Sequence, residues 1–195
     1  MERIIKWHLI RYLENNQILC DVQHGFRPGR SCLTSALQSH EKLTKATDKG
    51  HPVDLVFFDF EKAFDSGPHG LLLQKIWNFG ICGKIFNWIK SFFSFRVQSV
   101  AVENPSSKWA KVESGGSQAC VLGPLLFLAN VNDCLNDLDF EAVMFADDIK
   151  IWIEFSCAAD AKGLQSKINK LRVWSTRWLL KCNLSKCVIR HISAG

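Results

Sequence analysis

Ala142-Val143-Met144-Phe145-Ala146-Asp147-Asp148-Ile149-Lys150-Ile151-Trp152-Ile153 is the stretch on which the reading of the chain turns. Ala142 to Met144 form a short apolar strand. Beyond the acid pair the residues alternate, with Ile149, Ile151 and Ile153 on one face and Lys150 and Trp152 on the other. Period-two alternation on both sides of a short polar break predicts a β-hairpin with Asp147 and Asp148 at its tip. Adjacent carboxylates repel each other, and strands disfavour Asp. A divalent cation would neutralise the pair. Mg²⁺ suits best, because it is hard and uses few carboxylates alongside substrate phosphates. A solvated turn could carry the same two residues, so chemistry requires a second acidic site.

Val53-Asp54-Leu55-Val56-Phe57-Phe58-Asp59-Phe60 supplies it. Its nearly continuous apolar character predicts a strand covered on both faces. An Asp at the end of such a strand is costly unless it is paired, hydrogen-bonded or bound to metal. Asp65, six residues on, reads equally as a turn or helix cap. Asp59 and Asp147/Asp148 together could hold two Mg²⁺ ions, an arrangement suited to in-line displacement at phosphorus. Such chemistry asks for no protein nucleophile, and the sequence offers no convincing Ser/His/Asp or Cys/His set. His24, His40, His51 and His69 read as surface or core histidines.

The 195 residues are 47% hydrophobic, enough for one domain with a core. The net charge of +5 is compatible with a polyanionic partner but short of a dedicated nucleic-acid-binding domain. Eight cysteines are scattered without Cys-x-x-Cys or zinc-finger spacing, which reads as free thiols in a reducing, intracellular compartment. No signal peptide is read at Met1, and the apolar run Val121 to Val131 is too short to span a bilayer, so it is assigned to the core.

Around the acids the pattern is mainly helical. Residues 2–19 have helical spacing, ended by Asn15-Asn16. Gln23-His24-Gly25-Phe26-Arg27-Pro28-Gly29-Arg30-Ser31 is a loop, with Ser31 as N-cap of a helix through Thr47. Two arginines on such a loop can present guanidinium forks to phosphates. Helices follow from Pro68-His69 to Phe79 and around Ile85 to Phe92. Val97–Val102 and Lys108–Glu113 read as strands about a turn at Asn104-Pro105-Ser106-Ser107. The glycine-punctuated segment Gly115 to Pro124 leads into an apolar helix over Leu125 to Asn132. Leu164 to Trp178 is amphipathic.

Three segments in this order resemble the A, B and C motifs of a reverse transcriptase. They are Asp59-Phe60-Glu61-Lys62-Ala63-Phe64-Asp65-Ser66, Gln118 with Val121-Leu122-Gly123-Pro124-Leu125-Leu126-Phe127, and Phe145-Ala146-Asp147-Asp148. Gly25 to Ser31 resembles the fingers segment of that family, and Leu164–Trp178 followed by Asn183-x-x-Lys186 the segment closing the palm. The flavour is that of non-LTR, LINE-like or jockey-type retrotransposon polymerases, and the likeness runs from about residue 20 to 188.

The resemblance implies an RNA-directed DNA polymerase that takes an RNA template, a DNA primer and deoxynucleoside triphosphates, with two Mg²⁺ ions for which Mn²⁺ could substitute. It implies Asp59, Asp147 and Asp148 as metal ligands, and Phe60 as lending its backbone to the incoming nucleotide. Phe64 would be an aromatic gate against a ribose 2′-hydroxyl. Gln118 and Ala119 would meet nucleotide and template, Arg27 and Arg30 triphosphate or template backbone. Lys186 would give a proton to departing pyrophosphate.

The family's B motif usually reads Gly-Val-Pro-Gln-Gly-Ser, where this chain has Gly115-Gly116-Ser117-Gln118-Ala119-Cys120. Loss of the stiff Val-Pro pair is expected to loosen the loop, and the Ala119 methyl to obstruct a close approach. Gly67 and Gly70 stand where the family tends to have Val and a polar residue.

The fold expected is α+β: an antiparallel palm sheet from the regions near 53–60, 97–113 and 142–153, backed by helices, with partial fingers and no thumb. It forms one domain over 1–195, fingers-like over about 1–52 and mainly palm over 53–190. Weak or absent activity is expected of a truncated copy lacking a thumb. The alternatives are a non-catalytic RNA-binding remnant and another palm polymerase, such as a group II intron-type reverse transcriptase.

Overall fold

The computed structural model describes residues 1–101, 107–116, 120–136, 141–155 and 157–193. At its centre is a four-stranded antiparallel sheet of β1 (Val53–Phe58), β4 (Glu141–Phe145), β5 (Asp148–Glu154) and β6 (Val188–Ile192), in the order β4-β5-β1-β6. The helices are α1 (Glu2–Asn15), α2 (Cys32–Asp48), α3 (Ala63–Ser66), α4 (His69–Asn78), α5 (Gly83–Phe93), α6 (Gly123–Val131) and α7 (Ala158–Arg177).

Strand alternation explains how the layers pack. Val56 and Phe58 on β1, Met144 on β4 and Ile149 and Ile151 on β5 share one face, packed with Phe127 and Val131 of α6 and Leu164 and Leu171 of α7. Burial of Ile149 and Ile151, at most 1% exposed, contributes about 1.5–3 kcal/mol each. On the other face Val53, Leu55, Val143 and Trp152 pack with Leu43 and Ala46 of α2. β1 is therefore covered on both faces, as its composition predicts.

A second core joins α1, α4, α5 and α6 through Leu13, Ile76, Ile89, Leu122 and Leu125. Because α6 faces both cores, it is buried around almost its whole circumference, which is why its sequence is apolar without a stripe. α2 starts on a reciprocal cap, in which Thr34 N–H donates to Ser31 Oγ and Ser31 N–H to Thr34 Oγ1. Lys75 of α4 is buried, bonded to Asn130 O and Asp133, with its ammonium 3.8 Å from the Trp178 ring centroid. It ties α4 to the end of α6 and to α7.

Two expectations are corrected. The region 97–113 does not join the palm sheet: β2 (Val97–Gln98) and β3 (Ala110–Lys111) pair only with each other. All four residues are exposed, so the hairpin has no apolar face to dock. Apart from Ser107, the turn expected there lies outside the described residues. The fourth palm strand is β6, which pairs with β1 from Val53↔Ile192 to Phe57↔Val188. It is an exposed edge strand, so burial did not print an alternation into its sequence. Its polar Arg190 and His191 suit an edge, and His191 Nδ1 lies 2.7 Å from Asp54 Oδ1 across the seam.

Candidate active site

The sheet register brings the acids together. Phe58 pairs with Ile149, so the next residues outward, Asp59 and Asp148, face each other across the β1–β5 seam. Alternation puts them on the face of Phe57 and its partners Lys150 and Val188. Asp59, Asp148, Lys150, Lys186 and Arg190 line one open cleft of about 510 Å³. Asp147 lies beside it, in the two-residue turn closed by the Phe145↔Asp148 pair.

Asp59 is held from the loop before β6. Its Oδ2 accepts from Asn183 Nδ2 at 2.9 Å and lies 3.4 Å from Lys186 Nζ, while its carbonyl accepts Asn183 N–H at 2.9 Å. Burial raises the Asp147 carboxyl above the ordinary Asp value. The negative charges of Asp148 and Asp59 push the same way, against its backbone hydrogen bond and Lys186. Asp59 and Asp148 in the cleft, with Asp147 beside it, offer hard carboxylate oxygens of the kind a divalent cation takes. Among the described residues, no three His, Cys, Asp or Glu side chains converge as a ready metal cluster. Asp59 is instead engaged by Asn183 and Lys186.

Phe60 is 2% exposed, its ring packed near Phe58 and Trp174. The bonds from Glu61 N–H to Lys181 O and from Asn183 N–H to Asp59 O flank a Phe60↔Cys182 bridge. In such a pair the residue's own amide and carbonyl point to the opposite edge, here the side of the Asp147 turn. Phe64 stacks on Phe127, with centroids 3.9 Å apart and planes at 15°, and meets the edge of Phe26 at 5.9 Å.

The segment before Gln118 is pinned to this region. Gly116 N–H donates to Phe64 O at 2.7 Å and Gly115 N–H to Gly67 O at 2.8 Å. Gly115 has φ +82°, and a Cβ there would stand 2.6 Å from Asp65 O, so only glycine fits. His69 Nε2 lies 2.8 Å from Gly115 O. Gly115 and Gly116 thus anchor the start of the loop by hydrogen bonds, and Ser117 lies outside the described residues. Gln118 and Ala119 lie outside the described residues. The small residue at 67 also has a local reason: a Cβ there would stand 2.4 Å from Asn130 Nδ2.

The two arginines differ from expectation. Arg27 is 6% exposed at its side chain and forks onto Glu14 at 2.9 and 2.6 Å, with a further bond to Cys20 O at 2.7 Å. It braces the loop against α1 and presents no free guanidinium to a phosphate. Arg30 bonds to Asp21 but keeps part of its side chain in solvent.

The sequence matches the family described as "Reverse transcriptase (RNA-dependent DNA polymerase)" over residues 1–193. The chain belongs to the reverse transcriptase family. Among curated relatives it is 29% identical over 204 residues to the probable RNA-directed DNA polymerase from transposon BS of Drosophila melanogaster, covering 96% of this chain and 22% of that protein. It is 26% identical over 196 residues to the RNA-directed DNA polymerase from mobile element jockey of Drosophila funebris, with 96% and 21% covered. The affinity is thus to the non-LTR, jockey-type reverse transcriptases, and the chain spans about a fifth of the length of these relatives.

Among solved structures, apo telomerase from Candida tropicalis truncated from its C-terminal domain superposes with a TM-score of 0.72 at 14% identity, over 100% of this chain and 40% of that one. Telomerase from Candida albicans, in complex with a fragment of telomeric RNA, gives 0.71 at 14%, over 96% and 34%. The reverse transcriptase palm is thus the fold, and enzymes of this family generally use divalent metals. No described helix is long and apolar enough to cross a membrane.

Residue-by-residue reading missed several members of the site. Lys150 and Arg190 line the cleft but look like ordinary strand charges in sequence. Asn183 was placed in the palm-closing segment without a role, yet it holds Asp59 twice. Gln23 seemed one more polar loop residue. It is 2% exposed and bonded to the Asp147 turn, and nothing in the sequence signals this.

Proposed function

We propose that the chain is the fingers-and-palm core of an RNA-directed DNA polymerase, adding deoxynucleotides to a DNA primer on an RNA template. The observation that carries this is the register that sets Asp59 opposite Asp148, with Asp147 on the adjoining turn. Residues 1–52 serve as the fingers-like part and 53–190 mainly as palm.

Asp59, Asp147 and Asp148 hold two Mg²⁺ ions, for which Mn²⁺ can substitute. When bound, these lower the pKa of the primer hydroxyl and stabilise charge on the phosphoryl oxygens. Phe60 offers its backbone to the incoming nucleotide from the edge facing the Asp147 turn. Phe64, backed by Phe127, sets the room left at the sugar. Gln118 and Ala119 meet the nucleotide and template. Arg30 can swing from Asp21 towards phosphate, whereas Arg27 keeps the loop in place. Lys186 stands beside the reacting phosphates as a proton donor. Lys150 and Arg190 neutralise backbone phosphates of a template–primer hybrid held by shape rather than sequence.

The test is primer extension on an RNA template with protein in excess, with Mg²⁺ and then Mn²⁺. The expected result is short, metal-dependent addition that disappears in Asp147→Asn. Addition that survives this substitution, or a protein with neither addition nor saturable Mn²⁺ binding, would overturn the reading.

A further inference from the structure

Gln23 is a buried amide with three hydrogen bonds, two to the acid turn and one within its own loop. Its Oε1 accepts from Ala146 N–H at 2.8 Å and from Gly25 N–H at 2.8 Å, and its Nε2 donates to Ala146 O at 3.0 Å. Ala146 sits at φ +57°, a left-handed conformation that costs a non-glycine residue about 1–2 kcal/mol. Its peptide groups are buried, with Ala146 6% exposed and Gln23 2%, so water is not available to replace the amide.

A second, independent observation concerns space. A Cβ on Gly25 would stand 2.4 Å from Ala146 N, so the loop backbone lies directly against the turn. The flanking residues extend the grip, with His24 N–H donating to Met144 O and Met144 N–H to Val22 O, both at 2.8 Å. One residue further on, Phe26 meets the edge of Phe64.

We infer that Gln23 is a positioning residue: it fixes the turn that aims the Asp147 carboxylate and makes the 23–26 loop a rigid bridge between that carboxylate and Phe64. The inference rests on the polymerase reading, in which Asp147 is a metal ligand. A side chain that orients a ligand without touching the metal typically changes metal affinity by about 10–100-fold.

The experiment is a Mn²⁺ titration of the whole chain, followed by the electron paramagnetic resonance signal of the free ion, with thermal unfolding measured on the same samples. Gln23→Met keeps the volume but removes all three bonds. Gly25→Ala keeps the Gln23 amide but sets a methyl 2.4 Å from Ala146 N and 3.0 Å from Gln23 Oε1, pushing on the turn and on the bond between them, and so decides the matter if Gln23→Met does not fold. Each is expected to weaken Mn²⁺ binding by about tenfold in protein that remains folded at the assay temperature. A variant that unfolds at lower temperature but binds Mn²⁺ as the wild type does would overturn the positioning role. Absence of saturable binding in the wild type would instead sink the polymerase reading beneath it.

Discussion

Phe64 lies flat on Phe127, their ring centroids 3.9 Å apart. The ring proposed to exclude a 2′-hydroxyl therefore has a solid backing from α6 and cannot easily withdraw. Phe64→Val is expected to raise ribonucleotide incorporation relative to deoxynucleotide by at least about tenfold, roughly 1.4 kcal/mol of lost discrimination. Primer extension with each nucleotide type checks it. Phe127→Ala, at a buried position, is expected to cost about 3–5 kcal/mol of stability, measured by urea unfolding, and to relax the same discrimination.

Lys186 would compete with a cation bound by Asp59, since its ammonium stands 3.4 Å from Asp59 Oδ2. Because its side chain is largely exposed, the competition is modest. Lys186→Met is expected to tighten Mn²⁺ binding by about fivefold, equivalent to roughly 1 kcal/mol, while slowing nucleotide addition. Loss of the high-pH limb of the rate profile in Lys186→Met separates a proton donor from a residue that only attracts phosphate.

The raised pKa of Asp147 fixes the sign of a pH effect. The folded protein holds this proton more tightly than the unfolded chain, so stability falls as pH rises from the ordinary value of 3.8 through the raised folded value. Asp147→Asn removes that loss. It is expected to raise the melting temperature of metal-free protein at pH 7, to have little effect on it near pH 3, and to abolish nucleotide addition. A divalent cation at a hundredfold excess over the wild-type Kd should stabilise the wild type by about 2.7 kcal/mol and Asp147→Asn by clearly less.

The Lys75 ammonium gives the opposite slope. Burial is the main influence on its pKa and lowers it below the usual 10.5, against the pull of Asp133. Here the unfolded chain takes the proton more readily, so wild-type stability relative to Lys75→Met should rise as pH rises from the lowered folded value towards 10.5. Lys75→Ala, which also empties the space over Trp178, is expected to cost about 3–5 kcal/mol. Denaturant unfolding between pH 7 and 10 checks both.

What the sequence made legible follows from where burial imposes a pattern. Ile149, Ile151 and Ile153 alternate because β5 lies in the middle of the sheet, and the same constraint made β1 continuous and apolar. The acids could therefore be recognised at strand ends, whereas the β1–β5 register that sets Asp59 opposite Asp148 is visible only in the fold. The edge strand β6 has four exposed residues in five, so its membership of the sheet left no periodic trace. Val97–Gln98 and Ala110–Lys111 pair outside the palm for a related reason: two-residue strands print too little pattern to show where they dock. Arg27 and Gln23 were harder still. A polar side chain turned inward on Glu14 or on the Ala146 peptide has the same letter as one turned to solvent, and only the fold distinguishes them.

The central claim is that Asp59 and Asp147 serve one cation site, and a double-mutant cycle on Mn²⁺ affinity addresses it directly. Asp59→Asn and Asp147→Asn should each weaken binding by at least about tenfold, and the double variant should be little worse than the poorer single one, as for residues acting as a unit. Losses that simply add, or a single variant that binds Mn²⁺ as the wild type does, would contradict it.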